Sequence, residues 1–277
     1  MNLWIRFMML DIRLLARDKV FYYKLILLPI ALIFILGTIF GPSSSSPTSN
    51  SGDTAYQVNL GMDNGMAIPI EWVMYEKQSV SPMQYEAAAM TVLFSFLTSF
   101  ELAHSLVRDK LNNTLDRIRW APTQILQYLV GKLLGITLAI VVQMTIVILC
   151  SWLLFRVSWG HIPAVLGVTF IYGLAIGSLV LCCGFLAKDH AAISSFAAPV
   201  LYGLGFLGGS FFNTDGFPLV LKKIQEWTPN GKAINAYLHI FQGDSLSTLV
   251  WDMMCLSVVA VLFFALALRL ASKREVG

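Results

Sequence analysis

Charge is what this chain has least of. Only 13% of its 277 residues are Asp, Glu, Lys or Arg, 57% are hydrophobic, and the mean hydropathy is +0.70. A soluble domain carries about 25% charged and 45–50% apolar residues, so the chain is read as an integral membrane protein. A net charge of +3 with no Lys/Arg block and no basic patch interleaved with aromatics excludes nucleic acid as a partner. There is no G-x-x-x-x-G-K-[ST]: the GK pairs Gly131-Lys132 and Gly231-Lys232 are followed by Leu133 and Ala233 and lack the upstream glycine, so no ATP site of P-loop type is expected. His104, His161, His190 and His239 fall in no metal-ligand spacing, no metal site is expected, and each is read as a single interfacial or packing residue. No G-x-S-x-G occurs. Cys150, Cys182, Cys183 and Cys255 lie in apolar runs without C-x-x-C spacing and are read as core or lipid-facing residues. Arg6, Asp11, Arg13, Arg17, Asp18 and Lys19 break up any signal-type apolar core at the N-terminus, so no cleavable signal peptide is expected.

What is present is length in apolar runs. A helix needs roughly 20 residues to cross the hydrocarbon, and the runs place six spans at 25–41, 87–107, 133–155, 162–187, 191–212 and 250–268. The predicted fold class is all-α: a polytopic membrane protein forming one transmembrane domain over 1–277, with an N-terminal interfacial helix at 1–24, an external loop at 42–86 and a charged loop at 108–132. The division between the fourth and fifth spans rests on Lys188, Asp189 and His190. Fourteen of the nineteen Lys and Arg residues fall in the termini, the 108–132 loop and the 188–190 turn, which places both termini in the cytoplasm.

Local patterns refine this. At about 100° per residue, Arg6, Arg13 and Arg17 fall within roughly 40° of one another, as in a helix lying among anionic headgroups; a simple positive-inside anchor is the other reading. The 42–81 stretch opens GPSSSSPTSNSGDT and is read as a solvated connector or a substrate contact. In 109–119, Leu111, Leu115 and Ile118 form a stripe at i, i+4 and i+7, predicting a short amphipathic helix that Pro122 ends, with a new helix from about Thr123. Asn112-Asn113-Thr114 matches a glycosylation acceptor, but its cytoplasmic placement removes that reading. Two polar groups inside spans are singled out, Glu101 and Gln143. A substrate or proton role is open for Glu101, as is an interfacial or hydrogen-bonding one, since it lies about 11 Å of helix from Arg108; Gln143 reads as an interhelical hydrogen bond. Gly173–Gly177 and Gly205–Gly209 have the small-x-x-x-small spacing of close helix packing.

The run VRDKLNNTLDRIRWAPTQILQYLVGKLLG resembles the segment after the second span of ATP-binding-cassette type 2 exporter permeases. The matching positions are Thr114-Leu115, Arg117-Ile118, Pro122 and Gly131-Lys132-Leu133, while Arg108-Asp109 and Asn113 replace the usual Glu-Arg pair and glycine. WTPNGKAINAYLHIFQGDS from Trp227 resembles the run before the last span of drug-exporter members, and SPMQYEAAAM from Ser81 their entry into the second span. The external loop is shorter than in many members.

The resemblance implies a permease subunit of an ATP-driven exporter that moves an amphipathic cargo, a drug, antibiotic, lipid or peptide, out through the plasma membrane. It implies two permeases, the second identical or homologous, with two separate nucleotide-binding subunits, and membrane lipids around them. No cofactor is expected in this chain, with ATP and Mg held by the partner. The elements before the first span and after the second would dock on that partner, making 108–132 a cytoplasmic coupling loop and Arg108, Asp109, Thr114, Leu115, Arg117 and Ile118 coupling positions through a short coupling helix. Two other readings stay open: a proton-coupled secondary transporter using Glu101, and a non-transporting scaffold or sensor subunit.

Overall fold

The computed structural model describes residues 80–112, 125–211 and 218–273, with 27, 31, 34, 35 and 114 as isolated positions. The predicted interfacial helix with Arg6, Arg13 and Arg17, the first predicted span apart from those four positions, and Leu115, Arg117 and Ile118 lie outside the described residues. Eight α-helices and one π-helical turn follow in order, with no strand among the described residues: α1 (Pro82–Leu111), α2 (Ile125–Phe155), α3 (Ile162–Leu186), α4 (His190–Ala192), the π turn (Ile193–Ala197), α5 (Ala198–Leu207), α6 (Leu219–Trp227), α7 (Pro229–Gln242) and α8 (Leu246–Lys273). Three of them, Ile125–Phe155, Ile162–Leu186 and Leu246–Ser272 within α8, are long and apolar enough to cross a membrane.

The helix starts are written in local chemistry. Ser81 caps α1: its Oγ accepts from Gln84 N at 3.2 Å while Gln84 Oε1 accepts from Ser81 N at 2.9 Å, and Pro82 follows where a missing N–H loses nothing. Thr228 closes α6 and opens α7, its Oγ1 accepting from Gly231 N at 3.0 Å. Gly243, at φ +67°, ends α7 in the left-handed conformation, with Asp244 N donating back to His239 O at 3.0 Å.

Several sequence-based boundaries move. α1 begins at Pro82, inside the predicted external loop, and runs unbroken to Leu111, so Asp109, Lys110 and Leu111 form its last turn rather than the start of a separate short helix. α2 begins at Ile125, eight residues before the predicted span and close to the helix start expected from about Thr123. The predicted fifth span is a continuous helical run that is irregular and shorter than expected: Asp189 caps α4, the helix widens at once into the π turn and narrows again as α5, which ends at Leu207, before Gly209 at φ +76°. The stretch before the last span, read as loop apart from the run at Trp227, folds as α6 and α7.

One main core holds these helices together. α3 lies at its centre, packed by α8 on one side and by α1 and α2 on others, while α7 lies against α1, α3 and α8. Gly173 and Gly177 let α3 approach α2, for a methyl at either would meet Thr137 at 3.2–3.3 Å. Cys182 and Cys183 are buried, Cys150 and Cys255 half-buried, and all four are free thiols.

Gly231 sits where α6 and α7 fold back on each other, and a methyl there would collide with the Gln225 carbonyl, a backbone atom that cannot swing away. Gly203 has nothing within 4 Å. Gly231→Ala is therefore expected to destabilise the protein by about 1–3 kcal/mol, and Gly203→Ala to be neutral or stabilising by up to about 1 kcal/mol, measured as the thermal midpoint in detergent.

Candidate functional site

At one end of the bundle the last turn of α1 meets the ends of two neighbours. Asp109 Oδ2 accepts from Lys132 Nζ at 2.7 Å and from Tyr128 OH at 3.1 Å, both on α2. Tyr128 and Lys132 are one helical turn apart and so share a face. The Lys132 side chain is 2% exposed and that of Asp109 18%. An ammonium so buried is tolerated only when an opposite charge and hydrogen bonds replace its water, and Asp109 supplies both.

The adjacent Lys110 reaches a different helix. Its Nζ donates to the carbonyls of Gly184 at 2.9 Å, Phe185 at 3.0 Å and Ala187 at 2.6 Å, and sits 5.8 Å from the centre of the Phe185 ring. These carbonyls end α3. The last four carbonyls of a helix have no partner within it and carry the negative end of its dipole; an ammonium with three donors fits that need. Leu106, one turn earlier on α1, packs where a methyl on Gly184 would collide. Asp109 thus ties α1 to α2, and Lys110 ties it to α3.

Two residues before Leu106 on α1, His104 Nδ1 lies 3.2 Å from His190 Nδ1 with the rings stacked at 5.4 Å. The sequence reading treated both as single residues; the 187–190 turn brings them together. Asp189 caps α4 with a 2.6 Å bond from Ala192 N. The turn after α3 is therefore held on α1 at two levels.

The other sequence-predicted residues are distributed differently. Arg108 is exposed on the outer side of the same turn, and Thr114 is exposed. Glu101 lies within α1, with its side chain outside the described residues. Gln143 joins α2 to α1 by an Nε2 bond to Phe94 O at 3.0 Å, while its Oε1 is buried without a hydrogen-bond partner. The glycine pair 205–209 ends α5 rather than lying within a long helix.

A second charged cluster was missed from sequence. Asp252, a buried acid inside the predicted 250–268 span, accepts from Lys232 Nζ at 3.0 Å through Oδ1. Its Oδ2 has no hydrogen-bond partner and lies 3.6 Å from His239 Nε2, whose Nδ1 is 2.7 Å from Asp244 Oδ2. An acid within an apolar run was the available signal. The cluster joins α7 to α8, and a buried polar chain reinforces α7 from within: Tyr172 OH donates to Asn230 Oδ1 at 2.8 Å, Asn230 Nδ2 reaches Ser210 Oγ at 3.3 Å, and the Thr169 and Tyr237 hydroxyls are 2.9 Å apart. Burial pushes the Tyr237 phenol upward, which keeps it neutral. No group of three or more His, Cys, Asp or Glu residues suited to a metal occurs among the described residues.

The family model of the ABC-2 family transporter proteins matches residues 57–269. The chain belongs to this family and is the membrane-spanning permease of an ABC transporter. No curated protein matches it.

The two partners of the Asp109–Lys132 pair differ in exposure, and their removal should differ in consequence. Asp109→Ala takes the carboxylate from a buried ammonium and is expected to destabilise by about 3–5 kcal/mol. Lys132→Met leaves a partly hydrated carboxylate that still has Tyr128, and should destabilise by about 1–3 kcal/mol. The double variant should be less damaged than the sum of the two, a coupling read from thermal midpoints in a double-mutant cycle.

Proposed function

We propose, on the premise of ABC-2 family membership, that the chain is the transmembrane subunit of an ATP-driven exporter for an amphipathic cargo such as a drug, antibiotic, lipid or peptide. It works as one of two permeases, identical or homologous, with two nucleotide-binding subunits that hold ATP and Mg. Both termini and the 108–132 segment lie in the cytoplasm of the cell, and export runs outward across the plasma membrane.

The observation that carries this reading is the attachment of the 108–132 segment at both its ends. A lever passes on force only if its base cannot rotate freely. Asp109 and Lys110 fasten one end to α2 and α3, and Lys132, at the other end, is the partner of Asp109. A push on the intervening residues by an ATPase closing on ATP is thereby delivered to three helices at once and becomes a change in their packing. Six coupling positions were proposed from the sequence. Asp109 faces inward and anchors, while Arg108 and Thr114 are exposed, which supports reading these two as part of the surface offered to the partner; Leu115, Arg117 and Ile118, outside the described residues, are proposed for it from the sequence alone.

Co-expression with candidate ATPase subunits tests the assignment. An ATPase should co-purify with the chain in detergent, and Leu115→Asp should release it or abolish ATP-dependent transport without loss of folded chain in the membrane. Transport that continues without ATP, follows a pH gradient and stops in Glu101→Gln would instead identify a proton-driven carrier. ATPase binding without cargo movement would identify a scaffold or sensor.

A further inference from the structure

A groove of about 620 Å³ runs between α6 and the bundle. Leu204 and Leu207 of α5 form one wall, Val259 and Phe263 of α8 another, and Val220 and Trp227 of α6 overhang it. On α6 the positions 220, 223, 224 and 227 share one face. In a soluble protein such an apolar stripe would be turned inward; here Val220 is 68% and Trp227 86% exposed, while Gln225 is buried. The groove opens beside α8, which is long and apolar enough to cross a membrane and turns Val258, Val261 and Leu262 outward. An outward apolar face beside a helix of this length and composition is suited to hydrocarbon, and the volume is in the range of about 300–1,000 Å³ that holds a small amphipathic ligand.

The charge at the groove chooses among amphiphiles. Lys223 is exposed, lies on the same face as Val220 and Trp227, and has no ion-pair or hydrogen-bond partner among the described residues. None of the residues lining the groove is acidic. A long lysine stem can run along an apolar wall while its ammonium reaches the headgroup level. We infer that the groove is a binding site for a bilayer phospholipid with a net anionic headgroup, one acyl chain lying between α5 and α8 beneath α6 and the phosphate meeting Lys223. A zwitterionic lipid fits the same walls but brings no net charge to the ammonium. The site requires only that the chain stand in a membrane, so it is independent of which partner energises transport.

Native mass spectrometry of the full chain with dioleoyl phosphatidylglycerol or dioleoyl phosphatidylcholine tests the inference. The anionic lipid should be retained about fivefold more strongly, the contribution of one basic residue at a membrane surface. Lys223→Gln should abolish that preference while leaving retention of phosphatidylcholine, and Val259→Trp should fill the groove and displace both. Should the Val259 variant fail to fold, phosphatidylglycerol brominated on its acyl chains in nanodiscs should quench an emission component that Trp227→Phe removes. Equal retention of the two lipids, or a preference untouched by Lys223→Gln, overturns the site. So does efficient cross-linking of Val220→Cys between two copies, which would make this face an interface between permeases.

Discussion

A helix that ends against an apolar bundle leaves its last carbonyls without partners inside the helix, and the arrangement of this protein at one end follows from how α3 meets that constraint. Three carbonyls at the end of α3 are taken by the ammonium of Lys110, which belongs to α1. Hydrogen bonds to a charged donor contribute about 1.5–3 kcal/mol each way of counting, more than a neutral cap supplies. Because the neighbouring residue Asp109 reaches α2 in the same turn, two consecutive side chains hold three helices in one register. The stacked histidines and the Leu106–Gly184 contact add packing to what the charges fix.

The second charged cluster has a related logic elsewhere in the fold. Lys232, His239, Asp244 and Asp252 join the short α7 to the long α8, while Tyr172, Asn230 and Ser210 hold α7 from the inside. Among the described residues the buried charges, Lys132 and Asp252, both sit where one helix is fastened to another. Exposed Arg108, Thr114 and Lys223 are a separate group, available to a partner or to lipid headgroups.

Much of this could be read in the sequence, for identifiable reasons. The cores of the predicted third, fourth and last spans were legible because length and apolarity alone decide them, and the predicted second span lies within the helix α1. Ser81, Thr228 and Gly243 mark ends because capping is local chemistry. The irregular fifth span was passed over although a local signal was present: Ile193 to Leu207 contains Ser194, Ser195 and Pro199, and a proline inside a helix removes an i→i−4 hydrogen bond and disturbs the turn before it. Asp109 was singled out as a coupling position and Lys110 was not singled out; what neither could show is its partners, which lie 19 to 77 residues away in sequence. Pairings of that kind carry no local signature. Asp252 was visible as an acid in an apolar run and was passed over, and the pairing of His104 with His190 depends on a turn whose geometry no spacing rule contains.

The attachment of α1 to α3 is tested most directly by hydrogen exchange of the full chain in nanodiscs, comparing wild type with Lys110→Met. The amides at 104–112 and 184–190 should lose protection together, by about 10–100-fold for a contact of this strength, while the middle of α2 is unaffected. Unchanged protection in both segments, or loss confined to one of them, would show that Lys110 does not fasten the two helices and that the loop which follows has no rigid base.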